Sequence, residues 1–80
     1  MKSPIKVARE KMKVTVREFA ILAGTTEQTV RANERGDTVK ITAKLLDFLM
    51  KHGSNREELK KEQEKFRKWK QDQLLQRLNA

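Results

Sequence analysis

The sequence predicts an all-α chain of five helices. Three observations predict it. Helix-capping residues recur along the chain, apolar residues repeat at three- and four-residue spacing, and strand signals are missing. There is no Asn-Gly or Asp-Gly dipeptide and no sustained two-residue alternation. Pro4, Gly24, Gly36 and Gly53 are the only prolines and glycines, and they fall where short turns would separate helices.

Ser3 followed by Pro4 reads as an N-cap with proline in the first helical position, where its missing N–H costs nothing. The first helix is expected over residues 4–13, with Ile5, Ala8, Arg9 and Met12 on one face. Thr15 and Glu18 have capping-box spacing, so a second helix should run over residues 16–23 and bury Phe19, Ala20 and Ala23. Gly24 suits a left-handed stop. Thr26 caps a third helix over residues 27–35, with Val30 inward and Gly36 after its end. A fourth, over residues 41–52, carries Ile41, Leu45, Phe48, Leu49 and His52 in one stripe before Gly53. Ser54 with Glu57, or Asn55 with Glu58, can cap a fifth. Nothing then breaks the helix over residues 59–78, a length of roughly 30 Å.

Composition limits the function. A chain of 80 residues buries only about 60% of its unfolded surface, so the core is small. The absence of cysteine removes disulfides, thiolate zinc sites and cysteine nucleophiles, and the single histidine, His52, makes a histidine cluster unattainable. No catalytic residue, metal ligand or cofactor is expected. The carboxylates of Glu57, Glu58, Glu62 and Glu64 read as a solvated helix face. No apolar run reaches the roughly 18 residues of a membrane span, and the N-terminus lacks a signal-peptide core, so a cytoplasmic protein without membrane contact is expected. The net charge of +8 attracts polyanions, nucleic acid first. Residues 1–53 hold 11 basic and 6 acidic groups and residues 54–80 hold 8 and 5, so the excess is spread along the chain.

The informative unit is residues 15–36, TVREFAILAGTTEQTVRANERG. Two short helices joined by Gly24-Thr25-Thr26 give helix-turn-helix spacing. Ala20 is a small inward residue of the first of these helices, Gly24 stands at the turn, Val30 at the inward position of the second helix, and Glu34-Arg35-Gly36 at its end. This stretch resembles the lambda-repressor/Cro-type helix-turn-helix, also called the XRE family, and the resemblance extends more weakly over residues 4–53. It implies a DNA-binding domain over residues 1–53. It also implies a structural ion pair between Arg9 and Glu34, since family members often carry an arginine at the Arg9 position. Asn33 stands where the family often has an apolar or aromatic residue.

The resemblance further implies that residues 27–35 form a recognition helix lying in the major groove. The base-contacting candidates are then Glu27, Gln28, Arg31 and Ala32. Gln28 can bond an adenine edge twice, Glu27 can accept from a cytosine amino group, Arg31 can take guanine or phosphate, and Ala32 can touch a thymine methyl. Glu27 has a second reading, as a carboxylate stabilising the helix N-terminus. Arg17, Thr26, Thr29, Arg35 and Lys40 are the phosphate-contacting candidates, which set register without reading sequence.

Residues 54–80 form a long helical extension with three readings. Phe66, Trp69, Leu74 and Leu78 can form a dimer interface, the helix can pack back on its own domain, or its lysines and arginines can meet phosphate. The first is favoured, because an apolar surface that a small domain cannot bury needs a partner. The chain is thus expected to be a transcriptional regulator, a repressor of phage or mobile-element type, acting as a homodimer on an inverted repeat of double-stranded DNA without a small-molecule ligand. The alternative is an antirepressor or adaptor that keeps the fold and binds a regulatory protein partner.

Overall fold

Five helices follow one another in the computed structural model, which describes residues 1–79: α1 (Pro4–Lys11), α2 (Val16–Ala23), α3 (Glu27–Arg35), α4 (Ala43–Lys51) and α5 (Arg56–Asn79). No strand occurs among the described residues, and Ala80, the last residue of the expected extension, lies outside them. No helix among them is long and apolar enough to cross a membrane.

Local chemistry sets most helix ends. Ser3 is fully buried and its hydroxyl accepts the Lys6 N–H at 3.2 Å, with Pro4 opening α1. α1 stops at Lys11, two residues short of the expectation, because Lys13 turns into the left-handed region at φ +58°. At α2 both arms of the capping box form. The Glu18 N–H donates to Thr15 Oγ1 at 3.1 Å and the Thr15 N–H donates to Glu18 Oε1 at 2.9 Å. That backbone bond holds the Glu18 carboxyl below its ordinary range. α2 ends on Gly24 at φ +72°, with the Thr25 N–H closing onto the Ala20 carbonyl at 2.9 Å. α4 begins at Ala43 rather than at Ile41. Ile41 instead drops into the core ahead of the helix, and the Thr42 N–H donates to Asn33 Oδ1 at 3.0 Å. α5 starts at Arg56, and of the two expected caps it is that of Asn55 that forms, its Oδ1 accepting the Glu58 N–H at 3.1 Å.

The core joins all five helices. Ile5 of α1, Phe19 and Ala20 of α2, Val30 of α3 and Leu45 and Leu49 of α4 are buried together, and Leu59 enters from α5. Each fully buried side chain of this size contributes roughly 1.5–3 kcal/mol. Phe19 and Phe48 meet as tilted rings 5.6 Å apart.

α5 is held by its first two thirds only. Leu59, Gln63 and Phe66, at i, i+4 and i+7, face the domain and are buried. Gln63 is 2% exposed, and neither amide atom of its side chain finds a hydrogen-bond partner among the described residues. The lost hydration makes the seat of α5 weaker than its apolar contacts alone would give. Phe66 requires a correction. Expected on a dimer surface, it is 4% exposed within its own chain and lies over Gly36, so it is not available to a second copy.

Gly36 makes that seat possible. Its φ is +79°, and a Cβ built there would lie 2.8 Å from Phe66 Cε2. Gly36→Ala therefore combines left-handed strain with displacement of the Phe66 ring. We expect a loss of about 2 kcal/mol, measured as a lowered urea midpoint with an unchanged slope. An unaltered midpoint would mean that α5 does not rest on Gly36.

Candidate nucleic-acid interface

α3 is pinned from behind. Val30 and Asn33 are both fully buried, and the opposite side of the same helix presents Glu27, Gln28, Arg31 and Arg35 to solvent, with Ala32 half-buried at its edge. Three devices hold the helix in place. Behind its last turn, Arg9 Nε donates to Glu34 Oε2 at 2.7 Å and Arg9 Nη2 to Glu34 Oε1 at 3.1 Å, while Nη1 reaches the Val14 carbonyl at 3.0 Å. The Glu34 hydrogen bond raises the Arg9 pKa above its ordinary value, with burial acting against it. At its N-terminus, Thr26 Oγ1 accepts the Thr29 N–H at 3.1 Å and lies 2.9 Å from Thr29 Oγ1. In the turn before it, the Lys44 ammonium donates to the Gly24 carbonyl at 3.0 Å, placing a cation at the C-terminal end of α2.

Asn33 is the residue that the sequence left unread. Its Nδ2 donates to the Thr29 carbonyl and to Thr42 Oγ1, each at 2.8 Å. Its Oδ1 accepts the Thr42 N–H at 3.0 Å and the Thr38 hydroxyl at 3.4 Å. A buried amide with all its partners satisfied thus ties α3 to the loop that leads into α4. Only the threonines at Thr38 and Thr42 hinted at it.

The charges on the exposed face are arranged in pairs. Arg31 Nη2 lies 3.7 Å from Glu27 Oε1 one turn away, and Arg35 Nε lies 2.9 Å from Asp37 Oδ2. All four side chains are about half exposed, so each pair is worth no more than about 1 kcal/mol and exchanges readily for another partner. Glu27 therefore sits both at the helix N-terminus and against Arg31. Gln28 is exposed beside them. Arg17 is exposed on the first turn of α2 and Lys40 on the loop after α3.

At the far end of α3, the Lys70 ammonium of α5 donates to the Arg35 carbonyl, again a cation at a helix C-terminus. Lys70 also lies 5.7 Å from the centre of the Phe66 ring. Trp69 stacks on Phe66 at 6.0 Å and is 36% exposed. Leu74 and Leu78 stand away from the domain, 55% and 80% exposed. Nine residues at 100° each put Leu78 on the opposite side of α5 from Trp69, so the four apolar residues expected at one interface do not share a face.

No group of three histidine, cysteine or carboxylate side chains suited to a metal occurs among the described residues. Compared with known proteins, the chain matches no family model, no curated protein and no solved structure.

Proposed function

We propose that this chain is a sequence-specific DNA-binding regulator with a lambda-repressor-like helix-turn-helix, in which α3 lies in the major groove and two copies occupy an inverted repeat. The observation that carries the reading is the two-sidedness of α3. Its inner side is locked by Val30, Asn33 and Glu34, and its outer side offers Gln28 and Arg31 on a helix that needs no rearrangement to dock. The tight turn at Gly24 and the net charge of +8 agree with it.

In this reading Gln28 and Arg31 read base edges, Glu27 accepts from a cytosine amino group once Arg31 leaves it for the DNA, and Ala32 touches a thymine methyl. Arg17, Thr26, Thr29, Arg35 and Lys40 hold phosphates. A protein seated this way excludes other proteins from the same duplex, which makes repression the simplest outcome.

The test is selection from a random duplex pool at about 150 mM salt, where non-specific phosphate binding by a basic protein is suppressed. A two-fold site should be enriched. Against that site, Gln28→Ala should cost about 1–3 kcal/mol and relax preference at one base pair, whereas Lys40→Ala should weaken every duplex alike. Equal effects of both changes on all sequences would sink the groove-docking model.

One observation favours a second reading. The exposed arginines of α3 are already paired, Arg31 with Glu27 and Arg35 with Asp37 of the following loop, which suits a helix that meets protein rather than phosphate. In that case no duplex is retained from the pool, and the chain is an antirepressor or adaptor.

A further inference from the structure

The last third of α5 stands clear of the domain. The helix has 24 residues, a length of about 36 Å. The side that meets the domain carries Leu59, Gln63, Phe66 and Lys70, and it ends where Lys70 reaches Arg35. Every residue over 71–79 is exposed. Within this overhang Gln71, Leu74, Leu75 and Leu78 fall at i, i+3, i+4 and i+7, which is one helix face. Leu75 is 48% exposed beside the more exposed Leu74 and Leu78. Followed back toward the domain, the same stripe meets Lys68, Arg67 and Glu64, so the apolar face belongs to the overhang alone.

Charge divides the helix at the same point. Residues 56–70 include 11 charged side chains, whereas residues 71–79 include only Asp72 and Arg77, with no net charge. The tip is a neutral stretch of a strongly basic chain.

We infer that this face is covered by the same segment of a second copy, with the two α5 tips packed antiparallel over residues 71–79. Charge selects the occupant. An acidic protein or a nucleic acid finds no basic excess on the tip. A second copy carrying +8 is repelled by most of this surface but not by the tip. Charge also selects the direction. Parallel packing would set Arg67 and Lys68 of two chains side by side, whereas antiparallel tips keep the basic halves at opposite ends. Such a pairing is self-complementary, as a two-fold interface requires. It places one α3 at each end of the pair. It thereby supplies the dimer contact of the proposed regulator, and it rests on that reading only for its purpose. Three leucines from each copy bury far less than a standard interface, so the dimer is weak in solution and gains strength when both copies sit on one duplex.

Sedimentation equilibrium of the full chain from micromolar to millimolar concentration tests the pairing. A reversible monomer–dimer equilibrium is expected. Leu75→Glu and Leu78→Glu should each weaken it at least about tenfold, and Gln71→Leu should tighten it by about tenfold. The gain of affinity cannot come from misfolding. Added salt should leave the association unchanged or strengthen it. A chain monomeric throughout, a dimer indifferent to the three substitutions, or a dimer dissolved by salt would each overturn the proposal. Binding to a duplex with a single half-site separates the two readings. The glutamate variants should bind it as the parent does, so loss of the dimer leaves that binding intact, and absence of DNA binding leaves the sedimentation result intact.

Discussion

Replacing Asn33 with leucine is expected to destabilise the fold by about 3 kcal/mol, which lowers the thermal midpoint of a domain this size by roughly 12–24 °C. The substitution keeps the branched side-chain skeleton and adds apolar surface, but its methyl groups are bulkier than the amide, so overpacking adds to the loss of the hydrogen bonds. Asn33 does more than fill space. Its Oδ1 accepts the Thr42 N–H and its Nδ2 donates to Thr42 Oγ1. Leucine leaves both groups of the half-buried Thr42 without their partner, and each stranded donor or acceptor costs about 1–3 kcal/mol. The Thr29 carbonyl loses less, since the helix interior still supplies a backbone donor. The family resemblance carries the opposite expectation, because an apolar residue is common at this position and should then stabilise. The sign of the change in midpoint decides between them. Hydrogen exchange gives a second readout. The amides of residues 37–42 should lose protection before those of α2 and α3, because the loop is fastened to α3 through Asn33. A midpoint equal to or above that of the parent would refute the structural role.

What could be read in the sequence follows the range of the interaction. The ends of α2 and α3 are written in residues three or four positions apart: Thr15 with Glu18, Thr26 with Thr29, and the glycines that take φ +72° and +79°. The inward placement of Val30 follows from the same local period. Failures begin where the partner is distant or the local signal misleads. Lys13 adopts φ +58° although lysine carries no preference for it, so α1 ends early. Ile41 fits the stripe of α4 but is buried by the chain before the helix begins, since Thr42 has given its amide to a residue nine positions back. Phe66 reads as one member of an apolar helix face until Gly36, thirty residues earlier, is found beneath it. Lys44 carries no signal of its own in the sequence, and Lys70 belongs to the α5 cations that could meet phosphate; each is instead bound to a carbonyl at the end of another helix. Periodicity carries no information about any of these contacts, because each joins elements whose mutual placement is set by the whole core.

Arg9 and Glu34 give the second large effect, and here the comparison of single and double substitutions carries the argument. The two side chains are 15% and 10% exposed and form a two-pronged contact between α1 and the last turn of α3. Removing one partner leaves the other charge desolvated without compensation. For fully buried pairs this costs about 3–5 kcal/mol, and the residual exposure here places Arg9→Met and Glu34→Leu near 3 kcal/mol each. The double variant should cost only about 1 kcal/mol, because it exchanges two desolvated charges for apolar contact and loses chiefly the bond from Arg9 to Val14. A coupling of several kcal/mol between neighbouring sites follows. Base should not mimic the Arg9 substitution. The folded pKa of Arg9 is raised, so its contribution is complete below the unfolded value and is lost only as pH climbs through the folded one, beyond the range in which the protein would be assayed. Additive single effects would mean that the charges act independently of each other. Near-zero single effects would mean that α3 is held by Val30 and Asn33 alone. The double variant has a further use, because it restores stability without restoring the charges. If α3 is the surface that meets DNA, the folded double variant should select the same duplex as the parent, since the Arg9 and Glu34 side chains are only 15% and 10% exposed and are not presented to solvent as Gln28 and Arg31 are.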